Sequence, residues 1–203
     1  MEVFSGVNKL KIQKNIKMKK TGTFIIAIVL MVIQIGCESK ADKINNSKKA
    51  MFERFEKETF EKYKDNYLNT GTLPYNKCFG WNKSCNYDCS EIVIKSPTST
   101  DVLVTLKRNN RVVRHAYIEK NSKYTFTVPN GNYQPFFYYG NGWNPKKKMS
   151  SNSCSKLTGG FVKDESFGKD DVQRLYNNVL TYELILQRNG NLQTKSSNSS
   201  EAF

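Results

Sequence analysis

The chain of 203 residues is poor in the side chains that most catalytic centres use. It has a single histidine, two tryptophans, and 18 Asp and Glu against 32 Lys and Arg. The lone His115 sits in an alternating, strand-like run, and nothing around it forms a nucleophile elbow, an HExxH metal helix or a phosphate-cradling glycine loop. A structural or surface role is expected for it. No catalytic residue is assigned, and neither a metal nor a cofactor is expected. No uninterrupted apolar run reaches the roughly 20 residues that a membrane-spanning helix needs. Hydrophobic residues make up 38 %, below the share of an ordinary globular domain. The length fits one domain plus an unpacked tail.

The net charge of +14 suggests a nucleic-acid binder until its placement is read. Six of the basic residues precede residue 21, and Lys17, Lys19 and Lys20 stand directly before an apolar run from Phe24 to Ile35 that only Gln34 interrupts. A basic flank, a short apolar stretch and a small residue describe an export signal. Gly36 and Cys37 follow it, and Ile33 to Cys37 resembles a lipobox in which Gln34 replaces the usual aliphatic residue. Residues 1-36 are therefore expected to be a signal peptide, with Met18 an alternative start. Cys37 is expected to be lipidated and to anchor the chain to a membrane; cleavage elsewhere to give a secreted protein, or an uncleaved anchor, are the alternatives. Export separates the remaining basic surface from nucleic acid, which leaves lipid headgroups, anionic glycan or another envelope protein as partners.

Residues 37-47 are polar and predict a tether. Over residues 48-70 the aromatics Phe52, Phe55, Phe60, Tyr63 and Tyr67 recur at helical spacing among Glu and Lys, which predicts one amphipathic helix. Its stripe docks on its own domain or meets a partner. From Glu91 the period becomes two. Glu91 to Lys95, Asp101 to Arg108, Arg111 to Glu119, Lys123 to Val128, Asn132 to Tyr139 and Val179 to Arg188 predict strands. Asn109-Asn110, Asn130-Gly131 and Asn189-Gly190 supply hairpin turns. The expected fold is mainly β: an antiparallel β-sandwich over residues 71-195, with 196-203 a polar tail.

The stretch Tyr124 to Tyr133, two strands joined by a Pro/Gly turn, resembles transthyretin-like and PEGA-type envelope sandwiches. Over residues 71 to 203, Asp101 to Thr105, Arg114 to Tyr117, Gln134 to Gly140, Gly142 to Pro145, Gly159 to Phe161, Glu165 to Asp170 and Leu180 to Leu184 resemble an uncharacterised domain of Bacteroidetes envelope proteins. That resemblance implies a lineage and no activity.

Cys78, Cys85, Cys89 and Cys154 remain after Cys37. An even number in an exported domain predicts two disulfides, and the absence of paired CxxC spacing argues against zinc. Of three connectivities, Cys78 with Cys85 and Cys89 with Cys154 is preferred, because it ties the strand at Glu91 to the loop after Trp143. Asp164, Glu165, Asp170 and Asp171 are read as a charged loop: solvated or capping acids, a calcium site, or the carboxylates of a glycoside hydrolase. Tyr138, Tyr139 and Trp143 are expected in a loop at a strand end, as a stacking surface or as core. Lys146, Lys147 and Lys148 follow them, and Lys107, Arg108, Arg111 and Arg114 surround one hairpin, so both groups can attract anions. The expected function is a cell-envelope lipoprotein whose sandwich binds or scaffolds. A carbohydrate-active hydrolase and a purely structural envelope component are the alternatives.

Overall fold

A computed structural model describes residues 40-185 and 194-203. The export segment, Cys37 and the Asn189-Gly190 turn lie outside the described residues. The chain divides into two compact units, Met1–Lys48 and Lys49–Phe203. The described residues of the first are helical and open α1 (Lys40–Tyr63). Part of the expected tether is thus helix, and the helix stops seven residues short of its expected end. No Pro or Gly interrupts residues 40-63, and the Glu and Lys along it favour a helix without tertiary support.

The second unit is mainly β, with two sheets. The smaller has the order β4-β1-β8, formed by β1 (Cys89–Lys95), β4 (Lys123–Pro129) and β8 (Val179–Glu183). The larger has the order β3-β2-β5-β6-β9, formed by β2 (Asp101–Arg108), β3 (Arg111–Ile118), β5 (Gly131–Lys148), β6 (Thr158–Lys169) and β9 (Lys195–Ser196); β7 (Gln173–Leu175) pairs with the start of β5. All pairings are antiparallel except β8, which runs parallel to β1. Asn109 and Asn110 both take positive φ, 51° and 59°, as a tight hairpin between β2 and β3 demands.

The larger sheet is buried on both faces, which accounts for runs such as Val102 to Leu106 that carry no polar alternation. On one face Val102, Val104, Leu106, Phe137 and Tyr139 meet Ile92, Ile94, Phe126 and Val128 of the smaller sheet. On the other, Leu103, Phe136, Tyr138 and Phe161 lie under a cover that the chain makes from its own connections: Tyr75, Phe79, Leu157 and the C-terminal Phe203.

Three expectations change here. β5 runs 18 residues instead of eight, and β6 occupies residues expected to be loop. A register irregularity between Tyr139 and Asn141 shifts the alternation by one residue, which turns Trp143 inward to join Tyr138 on the second core. The tail is also docked: Asn198 caps α3 (Ser199–Ala202) by accepting from the Glu201 N–H, and Ala202 and Phe203 are buried. Gly142 (φ +69°) lies where a Cβ would come within 2.6 Å of the Tyr63 carbonyl, so the end of α1 passes this point of β5 only over a glycine.

Candidate functional site

Tyr138, Tyr139 and Trp143 are core residues, with 1 %, 6 % and 2 % of their surface exposed. The Tyr138 ring stacks on Phe167 at 4.4 Å, and its hydroxyl accepts the Phe161 N–H at 2.8 Å and donates to Glu165. Trp143 meets Tyr117 and Phe161 edge-on at 5.5 and 5.3 Å. No ring face is left for a ligand, so these three are not a stacking surface. The reason is the two-sided burial of β5, which consumes both faces of its alternation.

The disulfide connectivity also differs from the preferred one. Cys78 bonds Cys154, with Cα atoms 5.7 Å apart, and Cys85 bonds Cys89, at 6.0 Å. Cys78 lies in the short helix α2 (Asn76–Phe79) on the second core, where the loop after β5 also packs. Cys89 opens a strand of the smaller sheet, across the larger one from Cys154. Reach decides the pairing.

The four acids are engaged separately. Glu165 pairs with Lys147 and accepts from Tyr138, while Asp164 accepts from the Asn141 amide at 3.2 Å. Asp170 accepts from Tyr182 at 2.7 Å and Gln173 at 3.0 Å, and Asp171 pairs with Lys195. Each carboxylate serves a local contact, and among the described residues no group of three or more His, Cys, Asp or Glu gathers as metal ligands. His115 is 1 % exposed beside the rings of Tyr75 and Phe79. Burial lowers its pKa to about 4, with a backbone hydrogen bond to Leu73 opposing; it is a neutral core residue. The Asn82 side chain clasps its backbone through two hydrogen bonds, 2.9 and 3.1 Å.

Lys146 and Lys148 are exposed at the end of β5, while the Lys147 ammonium is held by Glu165 and by the Phe161 carbonyl at 2.7 Å. They line an open groove of about 1020 Å³ under Phe52, Phe55 and Tyr63 of α1. Phe52 and Phe55 are exposed on the helix face whose lower part rests near Val162 and Lys163; the Lys163 ammonium lies 5.7 Å from the Phe60 ring.

A second surface went unremarked in the sequence. The turn residue Asn130 binds two neighbouring loops. Its N–H donates to the Asp88 carbonyl at 2.7 Å, and its side chain accepts from Ser90 at 2.7 Å and from the Asn177 N–H at 2.9 Å while donating to Asn177 Oδ1 at 2.7 Å. Tyr87 and Tyr176 precede the two anchored residues, Asp88 and Asn177, which adopt positive φ of 49° and 48°. The two rings are 87 % and 73 % exposed. The Cys85–Cys89 bridge closes the loop that carries Tyr87, so one end of the unit displays two aromatic rings beside a cluster of Asn amides on a braced frame. The flanking turn residues in Asn86-Tyr87-Asp88 and Tyr176-Asn177-Asn178 were the available signal, since an aromatic between turn formers is seldom core.

Compared with known proteins, the chain matches no family, no curated protein and no solved structure. Among the described residues no helix is long and apolar enough to cross a membrane.

Proposed function

We propose that this chain is a cell-envelope lipoprotein, anchored through Cys37, whose β-sandwich is a non-catalytic module that binds glycan at the Tyr87/Tyr176 end. The apolar run before Cys37 and the two disulfides support an exported, oxidising setting. The observation that carries the binding reading is the pair of exposed tyrosines flanking Asn130. Exposed rings offer an apolar face to the C–H face of a sugar, and the side-chain N–H groups of Asn177 and Asn178, which the frame does not use, can donate to its hydroxyls. Rings left in water contribute no burial energy to the fold, whereas bracing the loops that carry them lowers the entropy lost on binding. A hydrolase has less support, because Glu165, Asp170 and Asp171 are spent on separate contacts with Lys147, Tyr182 and Lys195.

A glycan array probed with the full-length chain in non-ionic detergent tests the reading. Binding that Tyr87→Ala and Tyr176→Ala each reduce at least tenfold, without lowering the melting temperature, is the expected result. Failure of every glycan to bind, or binding untouched by both variants, refutes it.

A further inference from the structure

We propose that Arg108 and Arg114 form an oxyanion subsite around the Tyr133 hydroxyl, at the margin where the two sheets meet, suited to a sulfate, phosphate or carboxylate group. Arg114 stands on β3 opposite Leu106, beside the irregularity between Leu106 and Lys107. That register turns its side chain toward the space between the sheets, among the residues that Leu106 joins. It is 8 % exposed. One terminal nitrogen donates to the neighbouring Val113 carbonyl at 2.8 Å, and the buried Nε–H has no protein acceptor. Burial lowers its pKa, and the phenols of Tyr133 and Tyr124 oppose that shift.

Arg108 approaches the same phenol from β2. Its guanidinium carbon is 5.7 Å from the Tyr133 ring, and one nitrogen lies 3.5 Å from the hydroxyl. It lies over Gly131, where a Cβ would come within 3.1 Å of that carbon. The Tyr133 hydroxyl donates to the Pro129 carbonyl at 2.7 Å, so it offers Arg108 only neutral lone pairs. Among the described residues none of the four ion pairs includes an arginine.

Arg108 and Arg114 stand on the face of the larger sheet that also carries Tyr133, and among the described residues neither pairs with a carboxylate. A guanidinium held out of water with an unpaired N–H carries a desolvation cost that its one hydrogen bond to a carbonyl does not offset. An oxyanion supplies both the counter-charge and the acceptors, and a guanidinium fork matches it in two parallel hydrogen bonds. The subsite does not depend on the glycan reading.

The test is thermal melting of the full-length chain in non-ionic detergent, titrated with sodium sulfate, and in a second arm with sodium glucuronate, against sodium chloride at equal ionic strength. A saturable rise in melting temperature, about 5 °C at a hundredfold excess over the dissociation constant, is expected for at least one of the two anions over chloride. Sulfate activity assigns a tetrahedral oxyanion, and glucuronate activity a carboxylate. Arg108→Gln and Arg114→Met each weaken that response at least tenfold, and Arg114→Met melts no lower than the wild type in chloride, because it removes an uncompensated buried charge. Arg108 is exposed, so its variant carries the test if Arg114→Met does not fold. No saturable advantage of either anion over chloride, or a response that both variants retain, overturns the proposal.

Discussion

Phe203→Ala tests the docked C-terminus. Phe203 is 1 % exposed, with its ring edge-on to Tyr75 at 4.9 Å, Tyr138 at 5.8 Å and Phe167 at 5.9 Å. Its carbonyl accepts from the Ser151 hydroxyl at 2.7 Å, and the preceding carbonyl of Ala202 accepts from the buried Thr105 hydroxyl at 3.0 Å. Removing a buried Phe side chain costs about 3 to 5 kcal/mol, the sum of lost transfer free energy and a cavity that neighbouring rings cannot fill. For a unit of this size each kcal/mol lowers the midpoint by about 2 to 4 °C, so the expected loss is about 6 to 20 °C. Circular dichroism melting of wild type, Phe203→Ala and Phe203→Leu measures it, and the leucine variant, which retains most of the volume, should lose less than half as much. A shift under about 2 °C for the alanine variant, with unchanged cooperativity, would show that the tail is not part of the core.

Non-reducing peptide mapping should return Cys78 linked to Cys154 and Cys85 linked to Cys89. Removing the first bridge, which spans 76 residues, is expected to cost about 4.5 kcal/mol in chemical denaturation against about 2 kcal/mol for the second, which spans four; equal losses would contradict this. His115 is held neutral in the fold with its pKa lowered to about 4 by burial, so the unfolded chain binds the extra proton between about pH 6.5 and 4. Its contribution is full above that window and falls by at most about 3 kcal/mol as the pH drops through it, and urea titrations of His115→Phe should lack this part of the slope. Labelled palmitate should enter the wild type and not Cys37→Ala; equal labelling of both removes the anchor from the account.

The sequence patterns that were legible are those with one dominant constraint. β1, β2, β3 and β4 announce themselves by β-branched and aromatic residues between turn formers, and the Asn109-Asn110 hairpin by residues that tolerate positive φ. β6 was not legible, because its first half carries Gly159 and Gly160, and its middle, Lys163 to Ser166, is exposed to solvent and so polar. Trp143 looked like a loop residue for the opposite reason. Its inward direction depends on an irregularity of backbone register two residues earlier, which no local pattern encodes. The C-terminus failed for want of length: Ser199 to Ala202 is too short for any helical period, and a single Phe after polar residues carries no pattern. Cysteine number predicted two bridges, while their partners depended on which face of the larger sheet each loop covers. The exposure of Tyr87 and Tyr176 was readable in principle, from the turn residues on either side, and the contacts of Asn130 that bring them together were not.

The most direct test of the account is hydrogen-exchange mass spectrometry on the full-length chain, with and without a glycan found to bind on the array. The surface centred on Asn130 predicts new protection in residues 85-91, 129-132 and 175-179, with the segments carrying Tyr138 and Trp143 unchanged because their amides are already buried in β5. Protection concentrated instead on residues 52-63 and 144-148, the two sides of the groove beneath Phe52 and Phe55, would contradict the Tyr87/Tyr176 site and place recognition on the helix.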